Sequence, residues 1–245
     1  MRMRHVRIRP VPALALAVCA LGVAVAPASA HQFTASAAKK TFPLKTKGEG
    51  VGTQMFKFGK IEVACSVAKT KGSIAESPSP VLKVEVAYKE CESHTKFFGQ
   101  DSEPKIRFKS KVEYVYHPNG YAELGTEGEP ESVEVGPGTV ELAIQHTGGC
   151  KVLWPKQTVP VRAVSKPEEA YSAAVFSNEE ATAENLREFP GGVQHKLVIA
   201  NEFKGMEYGI EEVGLCENFE KTEGKEGKYV GTLHVEATGG SLSFE

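Results

Sequence analysis

An all-β fold, built as one or two antiparallel β-sandwiches with disulfides, is what this sequence predicts, and three observations carry that reading. Apolar and polar residues alternate in segment after segment, the period of a half-buried strand. Glycine and proline turns separate those segments at short intervals, as they do in sandwiches. Four cysteines, Cys65, Cys91, Cys150 and Cys216, follow an N-terminal stretch with the anatomy of an export signal.

That stretch sets the compartment. Arg2, Arg4, Arg7 and Arg9 precede the apolar run ALALAVCALGVAVA, which leads into APASA ending at Ala30. A basic start, about 14 apolar residues and an A-x-A-like site make a secretory signal peptide. Residues 1–30 are therefore expected to be removed, and the protein to be secreted to the extracellular side. The run is shorter than the roughly 20 residues a spanning helix needs, and no later segment is longer. No integral membrane segment is expected after signal removal. Cys19, mid-run behind Val18, leaves with the signal and carries no lipid anchor.

The mature chain divides by composition into three parts. Residues 31–47 are small, basic and polar, and read as a flexible N-terminal segment with a short edge strand near Phe42 and Leu44. Residues 48–138 form a first β-rich half. Phe56, Phe58, Ile61, Val63 and Cys65 keep one face if Gly59 marks a bulge, and Leu82, Val84, Val86 and Tyr88 share another. Ile106, Phe108, Val112, Tyr114 and Tyr116 run up to Pro118-Asn119-Gly120, a tight-hairpin signal, with the return through Tyr121 and Leu124. The acidic, turn-rich segment GTEGEPESVEVGPG ends this half.

Residues 139–245 form the second half. Val140, Leu142 and Ile144 lead into Val152 and Trp154, which alternate with Lys151 and Leu153 until Pro155 ends ladder donation. Val159, Val161 and Ala163 follow, then YSAAVF, HKLVIANEF, MEYGI, YVGTLHVEA and SLSF as further strands. Within SNEEATAENLREF, Ser177 and Glu180 have capping-box spacing, so a helix competes there with an excursion between strands.

An even cysteine count in an exported chain reads as a disulfide framework. Cys65 ends one alternating run and Cys91 follows the next, so adjacent strands bring them within bridging distance, leaving Cys150 to pair with Cys216. Each closed loop is worth ~3 to 4.5 kcal/mol in the chain-entropy model. Cys150 has a rival reading as a nucleophile, since His146 lies four residues before it beside Gly148-Gly149. On a strand that spacing is about 13 Å, and a nucleophile needs a thiolate within reach of its base. The disulfide reading is preferred, with Trp154 as a core plug over it.

Strand-ending Cys65, Tyr88-x-x-Cys91, Gly149-Cys150-Lys151-Val152 with Pro155-x-Gln157, and Cys216 before Gly227-Lys228-Tyr229-Val230-Gly231 together resemble a group of exported actinobacterial proteins with no assigned function. The likeness spans most of the mature chain. It implies a secreted β-rich protein and brings no activity with it. KSKVEYVYHPNG lacks a cysteine that members of the group often carry there, so no pairing scheme is carried over.

Composition removes most chemistries. The chain holds thirty Glu and one Asp, Asp101, which excludes a paired-Asp site and leaves an aspartyl triad dependent on Asp101. No G-x-S-x-G elbow, P-loop, dinucleotide fingerprint or Asp-rich calcium loop occurs. His31, His94, His117, His146, His195 and His234 show no zinc spacing. His31 as a new N-terminus has the amine for a copper chelate, but no second His follows it in a matching motif. No metal or cofactor is expected. The formal net charge is -2, and losing the four signal arginines takes it to about -6, which gives nucleic acid no basic footprint. Glu127, Glu129, Glu131 and Glu134 read as a solvated loop.

The expected function is thus a non-catalytic one, binding an unknown protein or envelope component or serving as a cell-envelope-associated structural part. The alternative is an extracellular glycan-acting hydrolase using a Glu pair.

Overall fold

The computed structural model describes residues 32–37, 42–93, 104–117, 131–144, 148–161, 172–180, 195–214 and 223–244. These residues form fourteen strands and no helix. In chain order they are β1 (Phe33–Ala37), β2 (Leu44–Phe58), β3 (Ile61–Ile74), β4 (Leu82–Glu92), β5 (Lys105–Phe108), β6 (Val112–His117) and β7 (Glu131–Val135). They continue with β8 (Gly138–Ile144), β9 (Gly148–Trp154), β10 (Gln157–Val161), β11 (Ala173–Glu180), β12 (His195–Gly214), β13 (Glu223–Ala237) and β14 (Gly240–Phe244). The predicted all-β class and antiparallel pairing hold throughout these ladders.

Twelve strands make one continuous sheet in the order β10-β7-β6-β4-β3-β2-β13-β12-β9-β8-β5, with β11 also pairing β12; β1 and β14 pair separately. The long strands β2, β3, β12 and β13 form the middle. Their alternation does what the sequence period requires, as in β13, where Tyr229, Leu233, Val235 and Ala237 are buried between exposed or half-buried neighbours. Strands at both ends of this sheet also touch segments that are not their neighbours in its order. At one end Val161 bridges Ser172; at the other Phe108 of β5 packs on Tyr88 of β4. Three ladders join the halves on either side of residue 138, β2 with β13, β7 with β10 and β5 with β8.

Aromatic side chains from strands far apart in the order meet in the interior. Phe33, Phe176 and Phe244 pack together near the β1–β14 pair. Tyr116 touches Phe176 and stacks with Tyr114, and Tyr114 stacks on Tyr229 at 5.5 Å. Tyr229 meets Phe56, and Phe56 and Phe58 stack with Trp154. Burial of such rings is the main stabilising term, at about 25 cal/mol per Å² of apolar surface.

Several expectations change. Gly59 is not a bulge: with Lys60 it forms a two-residue turn, and its φ of 60° supplies the positive angle at the first central position. Because Phe58 then sits opposite Ile61, both runs still face inward. Ile106–Phe108 and Val112–Tyr116 are separate strands with separate partners, β5 on β8 and β6 on β4 and β7. The acidic segment contains β7, so Glu134 stands on a strand facing Thr158 and Glu131 pairs with Val161. Ser177–Glu180 is strand: its ladder to Val198–His195 outweighs the capping-box spacing, because β12 offers main-chain partners for every residue. The 31–47 segment, expected to be flexible, contributes β1, laddered to β14, and the start of β2. Residues 118–120, Tyr121, Leu124 and Ala163 lie outside the described residues.

Candidate functional site

The predicted cysteine framework comes first. Cys65 and Cys91 occupy directly opposed positions of β3 and β4 and form a disulfide, with Cα atoms 4.0 Å apart. Cys150 on β9 is buried and disulfide-bonded; Cys216 lies outside the described residues, as does His146. A bonded Cys150 has no thiolate to offer, which removes the nucleophile reading. Trp154 is a core plug, as expected, but its support is aromatic: it stacks on Phe58 and donates Nε1–H to the Gly136 carbonyl at 3.1 Å.

Interior polar groups are the next place to look for chemistry. Tyr88, Tyr114, Tyr116, Tyr229, Gln54 and Asn201 are all buried. A buried hydroxyl or amide costs several kcal/mol unless bonded, and these bond one another. The Tyr88 and Tyr114 hydroxyls lie 2.8 Å apart. Tyr116 donates to Asn201 Oδ1 at 3.2 Å and Tyr229 to Gln54 Oε1 at 2.8 Å. The Gln54 amide donates to the carbonyls of Thr232 and Val51, holding the irregular stretch between Glu49 and Gln54 where the β2–β3 register shifts. Burial pushes the phenols of Tyr88, Tyr114 and Tyr116 well above their ordinary value, and that of Tyr229 upward too. Tyr208 is pushed up to about 12 by burial and by its bond to Glu226. All stay protonated at neutral pH and none serves as a base.

One titratable cluster faces outward, on β6, β7 and the turn into β10. Glu134 accepts from Lys156 at 2.6 Å and lies 3.2 Å from His117 Nε2. The Lys156 bond holds the Glu134 carboxyl below the usual range. A glycosidase acid needs the opposite shift; Glu127 and Glu129 lie outside the described residues. His234 stands 3.9 Å from Glu179. Among the described residues no group of three His, Cys, Asp or Glu side chains is placed to hold a metal ion. Nor is any helix there long and apolar enough to cross a membrane.

The most ordered arrangement of polar residues went unread in the sequence, although its signal is plain: the tetrapeptide KTKG occurs twice, at 45–48 and 69–72. The two copies pair with each other across β2 and β3. Thr46 faces Gly72, Gly48 faces Thr70, and Lys47 faces Lys71, so a local two-fold axis passes between the lysines. Inward, the symmetry extends to the packing. A Cβ on Gly48 would collide with the His234 carbonyl and lie 2.8 Å from Thr70 Oγ1, and one on Gly72 would collide with the Lys83 carbonyl and lie 2.8 Å from Thr46 Oγ1. Only glycine permits these approaches. The Thr46 and Thr70 hydroxyls are buried without a hydrogen-bond partner.

Outward, the repeat displays Lys45, Lys47, Lys69 and Lys71, all exposed, with Lys83 of β4 opposite Ser73. Lys47 pairs with Glu236 at 3.1 Å, and Glu85 is taken by Lys111 at 2.8 Å. No protein-family model matches this chain, and comparison with curated proteins and with solved structures finds no match.

Proposed function

We propose that the chain is an exported, non-catalytic scaffold that binds a protein or envelope component or stands as a structural part of the cell envelope, alongside the actinobacterial proteins it resembles. One observation carries the reading. The interior tyrosines, Gln54 and Asn201 spend their hydrogen bonds on one another, so these groups rigidify the fold and are not presented to a substrate. The Cys65–Cys91 disulfide and the bonded Cys150 suit an oxidising compartment. The N-terminal Arg-rich and apolar run supplies the route there.

Fractionation of expressing cells tests this. The expected result is a chain beginning at His31 outside the cytoplasm, with no thiol reactive under denaturing, non-reducing conditions. A full-length cytoplasmic chain with five free thiols, Cys19 included, overturns it. Release of reducing ends from envelope glycans would return the reading to the Glu-pair hydrolase.

A further inference from the structure

The self-paired KTKG repeat builds a basic lane on a chain that is acidic as a whole. Reading across the sheet through opposed residues gives Glu236 on β13, Lys47 on β2, Lys71 on β3, Glu85 on β4 and Glu113 on β6. The neighbouring rows are Lys45, Ser73 and Lys83 on one side, and His234, Glu49, Lys69 and Ala87 on the other. Five lysines thus occupy three adjacent strands, bordered by acid on β13 and on β4 and β6. Lys45, Lys69, Lys71 and Lys83 have no ion-pair partner among the described residues. Placing Lys47 opposite Lys71 is unfavourable for the sheet, and Glu85, opposite Lys71, is held by Lys111 instead. A chain with thirty Glu carries ample acid to neutralise these positions, yet leaves them basic.

Width and composition select the partner. Same-face lysines on one strand are about 6.6 Å apart and those on neighbouring strands about 5 Å, a spacing that meets a thread of repeating anions. A bilayer surface would press on Glu49, Glu85, Glu113 and Glu236 as well, and the exposed apolar side chains bordering the lane, Phe42 and Val51, are single residues beyond its rows that make no apolar face to enter it. Single-stranded nucleic acid calls for aromatic platforms, and none of the lane residues is aromatic. We propose that the outward face of the two KTKG segments, with Lys83, binds a linear sugar- or polyol-phosphate polymer of the cell envelope, laid along β2 and β3. This deepens the binding role proposed above and rests on it for the envelope setting.

The experiment uses purified, disulfide-bonded mature chain and inorganic polyphosphate as probe, titrated over a range of salt. The lane variant K45Q/K69Q/K71Q/K83Q is compared with K60Q/K151Q/K204Q/K225Q, which removes the same charge elsewhere. The lane variant is expected to lose at least about tenfold in affinity and to lower the log–log salt slope by about 3, at roughly 0.7 per neutralised phosphate. The control is expected to change by less than about twofold. Equal losses in both variants, or no binding by the wild-type chain at low salt, overturn the proposal. So does tighter lane-dependent binding to oligo-dT or to anionic phosphatidylglycerol vesicles than to polyphosphate. Affinity is read on purified protein, so a failure of export in the fractionation assay leaves this result independent.

Discussion

The middle of the sheet and its seams are held by different means. Across β2, β3 and β13 the main chain pairs with itself, so hydrogen bonds come with the extended backbone and, apart from Gln54 at the register shift, the inward side chains answer to volume. At the seams the ladder is missing, and side chains stand in for peptide groups. The Gln157 amide donates to the Glu207 carbonyl at 3.1 Å and accepts from the Glu207 N–H at 2.8 Å, fastening β10 to β12. Asn178 does the same for Phe244, joining β11 to β14, with both bonds at 2.8 Å. The Ser172 hydroxyl donates to the Lys204 carbonyl and accepts from its N–H. A pair of bonds exchanged with one residue's N–H and C=O is what an antiparallel neighbour provides. The difference teaches where identity matters: shape in the centre, hydrogen-bonding group at the edge.

Four substitutions set the two regions against each other. The largest effect belongs to the centre: the double variant C65A/C91A is expected to lose about 3.5 kcal/mol, the chain-entropy value for its loop, measured by urea denaturation. Gly72→Ala comes next, at about 3 kcal/mol, because the added Cβ meets the Lys83 backbone; a loss below about 0.5 kcal/mol would mean that the repeat is not packed as described. At the seam, Gln157→Leu should cost only about 1 kcal/mol, and amide exchange at Glu207 should accelerate while β2 and β3 stay protected. Returning to the centre, Thr70→Val is expected to be neutral or to stabilise by up to about 1 kcal/mol, since it removes a buried hydroxyl without a partner. A clear loss would reveal a bond to that hydroxyl.

The outer cluster supplies a pH test of the edge. The Glu134 carboxyl is held low by Lys156, so its contribution is present above the ordinary carboxylate range and is lost as pH falls through the folded-state value. Melting curves of Glu134→Gln should lie slightly below wild type at neutral pH and merge with it in acid. A gap that widens in acid would reverse the sign of the assignment.

How much of this was legible beforehand follows from the range of each signal. The β13 alternation, the Trp154 burial and the Cys65–Cys91 approach depend on neighbours close in sequence, and all are present. Ser177–Glu180 reads as a helix start because the capping box is local, whereas its strand depends on residues 195–198 across the fold. The KTKG repeat was open to view as letters, but its self-pairing required the register that Gly59–Lys60 and the shift after Glu49 impose. Gln157 and Asn178 gave no signal, since nothing in their surroundings says that an amide will meet a distant peptide group.

Residue chemistry by itself determined that this chain makes strands, places Cys65, Cys91 and Cys150 on them and supplies rings and hydroxyls to fill an interior, because period-2 alternation and side-chain type act within a few residues. Only the tertiary structure decided that twelve strands join in one sheet, that the buried tyrosines bond one another, Gln54 and Asn201, and that two copies of a tetrapeptide form a lysine lane. Those outcomes turn on which distant edges and faces meet, and contact between segments far apart in sequence is settled by closure and packing of the whole chain.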